Sequence, residues 1–269
     1  MDQPVASTET TGYLHRLYSE SLSEFGTPRW LPECGGWILE RAISSSSGRD
    51  AMGCYPLFAC ANWSRLQQDL ASLEDDLVSL ALVTDPFGDY DPGYLAECFP
   101  DVMFPFKEHF VVELSRDPDS FVHPHHRRNA RKALEAMHVE KCDNPDAYLD
   151  DWVSLYGTLV ERHQIRGLMA FSPQCFAKQL RVPGLVMLRA VRDETTIGIV
   201  LWYQQRDRAY YHLGAYSPEG YESGASFALF NYSIEYFGKQ NINWLDLGAG
   251  AGTGRDAESG LARFRRRSI

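Results

Sequence analysis

The residues best suited to chemistry are a carboxylate at a strand end and the glycine-rich turn that follows it. Asp246 comes after the segment Asn243-Trp244-Leu245, in which the last two residues are apolar, and is followed by Leu247-Gly248-Ala249-Gly250. A carboxylate between apolar neighbours is rarely placed without a partner or a purpose. Glycines allow a backbone to approach a bound ligand closely. This segment therefore predicts a ligand or a reacting group at the end of the strand.

Residues 243–254 resemble the first motif of S-adenosylmethionine-dependent methyltransferases, an apolar strand ending in Asp-Leu-Gly-Ala-Gly. In those enzymes the motif lies at the switch point of a doubly wound sheet, so further βα units must follow it. Only residues 255–269 follow here, which are too few for one such unit. We therefore expect the motif to close a fold, and a methyltransferase is the remote alternative.

Composition narrows the class of protein. A chain of 269 residues with 44% apolar and 13% aromatic residues can bury a substantial core. The net charge of −10 argues against non-specific coating of nucleic acid. Six scattered cysteines without a C-x-x-C pair, and no secretion signal in residues 1–11, predict a cytoplasmic protein with reduced thiols. The longest apolar runs, residues 77–83 and 197–203, are too short to span a bilayer.

Two basic segments, residues 125–132 and 263–267, interrupt the acidic composition. The cations of the first segment lie on neighbouring faces of a predicted helix. They are Arg127, Arg128, Arg131 and Lys132. Like charges this close favour an anionic partner such as phosphate, and a solvated helix face is the alternative. The cluster His123-Pro124-His125-His126 has no cysteine or carboxylate at supporting spacing, so we predict no metal site.

The periodicity of the second half predicts a helix, a shorter helix, three strands, a helix and a last strand. The corresponding segments are residues 148–163, 172–180, 185–191, 197–204, 209–216, 224–237 and 243–247. This order resembles the GNAT superfamily of N-acyltransferases, in its FemAB-like branch. The resemblance covers about residues 37–265. Its signatures are residues 107–114 with the basic segment after them, the hairpin 185–204, the helix from Gly224, Asp246-Leu247-Gly248, and Gly260-Leu261-Ala262-Arg263-Phe264-Arg265.

The resemblance implies an α/β (α+β) fold of two GNAT-like halves, each a mixed, largely antiparallel sheet flanked by helices. The expected parts are a disordered N-terminus (1–12), a first half (13–117), a basic linker helix (118–140) and a second half (141–269), which is shortened at its C-terminus relative to the family.

The resemblance also implies where an activated donor binds. Two strands splay to admit the donor's arm, and the next helix binds the donor phosphates at its N-terminus. Aligned on the family's glycine, the residues of this site are Tyr221, Ser223, Gly224, Ala225 and Ser226. Tyr221 and Ser226 depart from the Gln/Arg-x-x-Gly-x-Gly/Ala pattern of acetyl-CoA users. That departure is compatible with the FemAB-like branch, whose studied members use aminoacyl-tRNA.

Attack of an amine on an activated carbonyl needs a proton acceptor and a group that stabilises the oxyanion. The candidate bases are Asp246, His212 and Glu113. A histidine within a strand is more often structural, and Asp246 can instead anchor the C-terminal loop by accepting backbone N–H bonds. Arg265 stands where the family has lysine, which implies a charge role.

The function implied is an N-acyltransferase that forms an amide between an acyl or aminoacyl group and an amine. It needs no tightly bound cofactor. The co-substrate is aminoacyl-tRNA or acyl-CoA, and the acceptor is a small-molecule or peptide amine. A tRNA acceptor end would contact residues 127–132. The main alternative is an inactive GNAT-like module that binds a ligand or a protein. Donor, acceptor and oligomeric state stay open.

Overall fold

The computed structural model describes residues 10–249, except residues 45, 74 and 75. The described residues divide into two compact units: those up to residue 105 with 182–184, and residues 106–181 with those from 185 onward. Most of the expected disordered segment lies outside the described residues. Gly12 begins a 3-10 helix, Gly12–Leu14, and its amide donates to Pro183 O at 2.8 Å.

The first unit is built on a four-stranded sheet in the order β1-β2-β3-β4. Its strands are β1 (Thr27–Leu31), β2 (Gly36–Ala42), β3 (Arg49–Gly53) and β4 (Ser79–Ala81). Its helices are α1 (Arg16–Ser21), α2 (Leu66–Ala71) and α3 (Pro92–Cys98), with a 3-10 helix at Trp63–Arg65. The β3–β4 pairing is parallel and the other two pairings are antiparallel.

A buried carboxylate ties three strands of this sheet together. Glu40 on β2 is 8% exposed, and its two oxygens accept from Arg29 Nη1 and Arg49 Nη1, each at 2.7 Å. The bond to Glu40 raises the pKa of Arg29. A buried carboxylate is stable only when donors replace its lost hydration, and the two guanidinium groups do so here.

The second unit is built on a six-stranded sheet in the order β5-β10-β9-β8-β7-β6. Its strands are β5 (His109–Glu113), β6 (His138–Lys141), β7 (Leu185–Arg192), β8 (Thr195–Gln205), β9 (Arg208–Tyr216) and β10 (Trp244–Ala249). Its helices are α4 (Pro118–Phe121), α5 (Pro124–Leu134), α6 (Leu149–His163), α7 (Pro173–Gln179), α8 (Pro218–Ser223) and α9 (Ala225–Gly238), with 3-10 helices at Pro145–Tyr148 and Gly167–Met169. All pairings are antiparallel except β9–β10.

Helices cover both faces of the six-stranded sheet. One face packs against α9, and α5 packs on α9 in turn. The buried core on that face includes Leu188, Trp202, Leu229, Phe237 and Leu245. α6 packs on β8 and β9, and the strand residues that alternate with that core face it.

Local signals in the sequence account for several boundaries. Ser172 Oγ accepts from Cys175 N at 3.1 Å, with Pro173 in the first turn of α7, and this signal begins the predicted helix 172–180. The same Ser-Pro signal at Ser217-Pro218 begins α8, between the predicted strand 209–216 and the predicted helix from Gly224. Asp193 has a φ of 47°, the left-handed conformation that a tight turn requires, and it lies in the predicted β7–β8 hairpin turn.

The predicted fold class is confirmed: two mixed, largely antiparallel sheets are flanked by helices. One strand belongs to a different sheet from the one that the expected division of the chain assigns it to. β5, assigned to the first half, pairs with β10 at the edge of the six-stranded sheet. This pairing joins residues more than a hundred positions apart, and no local sequence pattern encodes it.

The start of α8 tolerates no side chain at Gly220. A Cβ on this residue would lie 2.0 Å from Ile197 O, a backbone atom of β8. We expect Gly220→Ala to lower the free energy of unfolding by about 1–3 kcal/mol, because the backbone must move. Gly157→Ala is the matched control. Gly157 lies within α6 and nothing stands within 4 Å of its Cβ position. It should gain about 0.5–1 kcal/mol. Urea unfolding measures both, and equal effects would contradict the packing argument.

Candidate functional site

The six-stranded sheet opens between β9 and β10. Three pairs are registered between these parallel strands: Trp244 with Arg208, Leu245 with Ala209, and Asp246 with Tyr210. β9 then continues to Tyr216 and β10 to Ala249, with no further registered pair among the described residues. Two parallel strands that part in this way leave a gap in the sheet, bordered on both sides by backbone.

Two register shifts lie beside this gap. Leu201 pairs with Leu213 and Trp202 with Tyr211, so His212 is an extra residue in β9. On the other side, the β10–β5 register shifts between Asp246 and Ala249, where Gly248 has a φ of 76°. Bulges bend strands and re-aim side chains, and they are frequent next to active sites. The irregular backbone of the sheet is thus concentrated around the end of the β9–β10 pairing.

Asp246 lies at the last registered pair and is 2% exposed. Its Oδ1 accepts from Gly248 N at 2.7 Å, and its Oδ2 lies 2.8 Å from His109 Nδ1. Leu245 and Leu247 point into the core under α9, so Asp246 faces the other side of the sheet. The carboxylate therefore has a donor on its own strand and a second donor on β5.

The two other candidate bases lie in different surroundings. His212 packs against Phe171 and Tyr203, and its Nε2 lies 3.4 Å from Gln179 Oε1. Burial lowers the pKa of His212 to about 3, so its imidazole is neutral and a weak proton acceptor at pH 7. Glu113 stands opposite Trp244 at the far end of β5 and accepts from Ser115 Oγ at 3.1 Å. The structure does not bring these two side chains to Asp246.

The predicted donor-binding residues lie at the junction of α8 and α9. Gly224 has a φ of 75° and both ends α8 and begins α9. Its carbonyl accepts from Phe227 N at 2.9 Å. The next two amides, of Ala225 and Ser226, have no residue four positions earlier within α9, which is the property that makes a helix start suitable for anions.

The rest of that segment is already engaged. Ser223 Oγ donates to Glu219 O at 2.7 Å, inside α8. The Tyr221 ring packs under Arg162, whose guanidinium carbon is 4.2 Å from the ring centroid. Partial burial raises the pKa of Tyr221, and Arg162 acts in the opposite direction. Tyr221 thus holds a cation near the start of α9, where acetyl-CoA users have glutamine or arginine.

The four predicted phosphate-binding cations lie on α5, which packs against α9. The α5 residue Ala133 is 4.0 Å from the Cβ position of Gly224, so this helix passes close to the α9 start. Arg127 is paired with the Asp119 carboxylate, and Arg128 Nη2 lies 3.2 Å from His125 Nδ1. Arg131 and Lys132 are exposed.

Arg265 and the Gly260–Arg265 element lie outside the described residues. Within residues 10–249, as far as they are described, no group of three or more His, Cys, Asp or Glu side chains could hold a metal ion. The same part of the chain contains no helix with the length and apolar character needed to cross a membrane.

His109 is the residue that the sequence interpretation missed, because the pattern marks it only as the first residue of a strand. In a strand, His109, Val111 and Glu113 lie on the same face, so the sequence does place the polar His109 side chain on a defined face. The contact of His109 with Asp246 depends on the β5–β10 pairing and on the register shift in β10, and neither has a local sequence signal.

Comparison with known proteins agrees with this geometry. Residues 123–255 match the family model of the acetyltransferase (GNAT) domain. No curated protein sequence gives a significant match. Among solved structures, the chain is similar to FemX, with a TM-score of 0.65 and 13% identity over 98% of this chain and 89% of that one.

Two further solved structures share the fold. The first is the C-terminal domain of a protein described as a lysylphosphatidylglycerol synthetase from Agrobacterium fabrum, with a TM-score of 0.63 and 13% identity over 87% of this chain and 74% of that one. The second is L-PGS from Bacillus licheniformis, with a TM-score of 0.57 and 14% identity over 98% and 90%. Residues 123–255 therefore resemble a GNAT domain, and the predicted resemblance to GNAT proteins of the FemAB-like branch is confirmed by this match and by the FemX-like fold.

The buried His212 predicts a specific dependence of stability on pH. Its folded pKa of about 3 lies below the ordinary histidine value, so the unfolded chain binds this proton more readily. Its contribution to stability is complete above about pH 6.5 and is lost as the pH falls toward 3. Between these pH values, the free energy of unfolding should fall less steeply in His212→Leu than in the wild type, by roughly 1 kcal/mol per pH unit.

Urea unfolding at several pH values measures this slope. His138→Leu is the control, because the His138 side chain is 64% exposed and should leave the slope unchanged. A slope that His212→Leu does not alter would show that this imidazole can be protonated in the folded protein.

Proposed function

From the GNAT domain and the FemX-like fold, we propose that the protein is an N-acyltransferase. It transfers an acyl or aminoacyl group from an activated donor, acyl-CoA or aminoacyl-tRNA, to the amine of a small molecule or peptide. The observation that carries the proposal is the parting of β9 and β10, with β9 leading through α8 to the start of α9, inside the segment that matches the GNAT model.

The gap suits the donor's reactive end. An arm that enters between parting strands can make hydrogen bonds to backbone, which holds an acyl carbon in one place. A carbonyl in this position lies among fixed backbone dipoles, and such dipoles stabilise the negative charge that develops on its oxygen. The irregular backbone at His212 and Gly248 supports this role, because regular pairing would close the sheet.

The start of α9 and the α5 cations suit the donor's phosphates. Both donor classes carry phosphate groups, and the Ala225 and Ser226 amides lie at the positive end of the α9 dipole. Arg131 and Lys132 are exposed on the helix that passes beside Gly224. A tRNA acceptor end requires only such a local basic patch, so the net charge of −10 is compatible with either donor.

Among the candidate bases, Asp246 has the best position for proton transfer. It lies where β10 leaves β9, whereas His212 is buried under Phe171 and Glu113 lies at the other end of β5. We therefore propose that the acceptor amine loses its proton near Asp246. Arg265, beyond the described residues, keeps its proposed charge role.

The donor class can be tested by adding acetyl-CoA or alanyl-tRNA to the protein with a panel of primary amines and following amide formation by mass spectrometry. Repeating the assay at several salt concentrations separates the two donors. A tRNA donor should lose affinity steeply with salt, and Arg131→Gln with Lys132→Gln should reduce that slope by about 0.7 for each phosphate that the protein no longer neutralises.

Lys239→Gln is the control for this pair, because Lys239 is exposed at the opposite end of α9. A salt slope unchanged in the double variant would remove α5 from the donor site. Binding without turnover of either donor would favour the inactive GNAT-like module.

A negative charge at position 226 should increase stability and weaken donor binding. A glutamate in the first turn of α9 should stabilise the helix by about 0.3–1 kcal/mol, because it faces the positive end of the dipole. The same carboxylate should repel a donor phosphate, and we expect Ser226→Glu to raise the donor Kd about tenfold, which corresponds to ~1.4 kcal/mol. Calorimetric titration with acetyl-CoA or alanyl-tRNA measures this change.

Ser226→Gln has a side chain of similar size without the charge and should bind the donor nearly as tightly as the wild type. Equal weakening in both variants would indicate that bulk, and not phosphate repulsion, causes the effect.

A further inference from the structure

The contact between His109 and Asp246 is short and largely buried. Nδ1 of His109 lies 2.8 Å from Oδ2 and 3.0 Å from Oδ1 of Asp246. The Asp246 carboxylate is nearly inaccessible, whereas 19% of the His109 side chain is exposed. The carboxylate is thus fixed inside the sheet, and the imidazole extends from it toward solvent.

This geometry selects one tautomer of the imidazole. A carboxylate accepts hydrogen bonds, so the neutral ring carries its proton on Nδ1 and keeps a lone pair on Nε2. Among the described residues no hydrogen-bond partner of Nε2 is found, since both contacts of this ring are made by Nδ1. Nε2 is therefore a proton acceptor with no competing donor in the described part of the chain.

The position of His109 suits removal of a proton at the proposed site. It stands opposite Ala249, in the part of β10 that has left β9. It lies on the same strand face as Val111, which is paired with Asp246. The imidazole thus lies beside the opened end of the sheet.

We propose that His109 is the catalytic proton acceptor of the transferase and that Asp246 is its positioning residue. This inference rests on the proposed function.

The acceptor nitrogen attacks the acyl carbon, so that a C–N bond forms and the carbonyl π pair moves to oxygen. Nε2 then takes the proton from the attached ammonium. When the oxyanion re-forms the carbonyl, the C–S bond of a thioester or the C–O bond of an aminoacyl ester breaks. The imidazolium returns the proton to the departing thiolate or alkoxide.

Asp246 supports this transfer in two ways. Its hydrogen bond keeps Nε2 directed outward, and its negative charge stabilises the imidazolium that forms. The titratable groups registered beside the paired part of β10 are Tyr210 and Arg208 on β9 and Glu113 on β5. Tyr211, His212 and Tyr216 lie further along β9. Tyr210 stands opposite Asp246, while Arg208 and Glu113 stand opposite Trp244, two residues further along the strand. Asp246 is therefore the carboxylate that holds the ring.

The test uses the full chain, the donor that the wild type turns over, acetyl-CoA or alanyl-tRNA, and an amine of the panel that it acylates. His109→Asn keeps an N–H donor near the position of Nδ1, so the bond to Asp246 and the β5–β10 contact survive. It lacks a basic nitrogen. We expect kcat to fall by about 100-fold or more, because a general base typically contributes that factor, while the donor Kd stays within about twofold of the wild type.

Three further measurements separate proton transfer from a structural role. His109→Ala should recover at least tenfold in rate when free imidazole is added. The wild-type kcat/KM should fall on the acid side as the imidazole is protonated, and His109→Asn should lack this limb. Asp246→Asn should move the limb to lower pH, because removing the carboxylate disfavours the imidazolium.

His138→Gln is the matched control. His138 also faces a carboxylate, Glu140, at 3.7 Å, but this pair is exposed on β6 at the opposite edge of the sheet. The variant should keep wild-type kcat. An active His109→Asn protein with wild-type kcat and an unchanged acid limb would overturn the inference while leaving the transferase in place. A folded wild type that acylates no amine with either donor would overturn the proposed function and this inference together.

Discussion

The second unit depends on the burial of one carboxylate. Asp246 is almost fully removed from water, and a buried carboxylate is stable only when donors replace its hydration. The two donors are the Gly248 amide, which requires β10 to turn with a positive φ, and His109 Nδ1, which requires β5 beside β10. The same group therefore fixes the neighbour of β10, the turn at its end and the orientation of an imidazole.

Irregular backbone and a well-packed core meet on the same two strands. β10 contributes Leu245 and Leu247 to the core under α9, and the next residue begins the departure from regular strand geometry. β9 contributes Ala209 to the same core before the extra residue His212. The apolar side chains anchor the paired ends of the strands, so the other ends can part without unfolding the sheet. A gap of this kind needs such an anchor, because each strand pair that is absent removes ladder hydrogen bonds.

The sequence predicted the parts of this structure that local chemistry determines. The helix that begins at Ser172, the β7–β8 hairpin and the helix after Gly224 follow from residue types at fixed positions. The motifs also identified Asp246 and the likeness to GNAT proteins. The sequence did not predict the β5–β10 pairing or the histidine that it brings to Asp246. Those contacts arise from pairing over long chain separations, in which the core and the turn select the register and the local pattern does not.

The unit that folds is larger than the segment that resembles the family. The GNAT match begins at residue 123, whereas β5 ends at Glu113 and completes the edge of the same sheet. A fragment cut at the family limits would leave β10 with one open side, and its Asp246 would lose the imidazole. Open strand edges are templates for self-association, and a buried carboxylate that has lost one of its two donors favours unfolding. An excised domain should therefore start ahead of His109, because a shorter fragment would tend to aggregate.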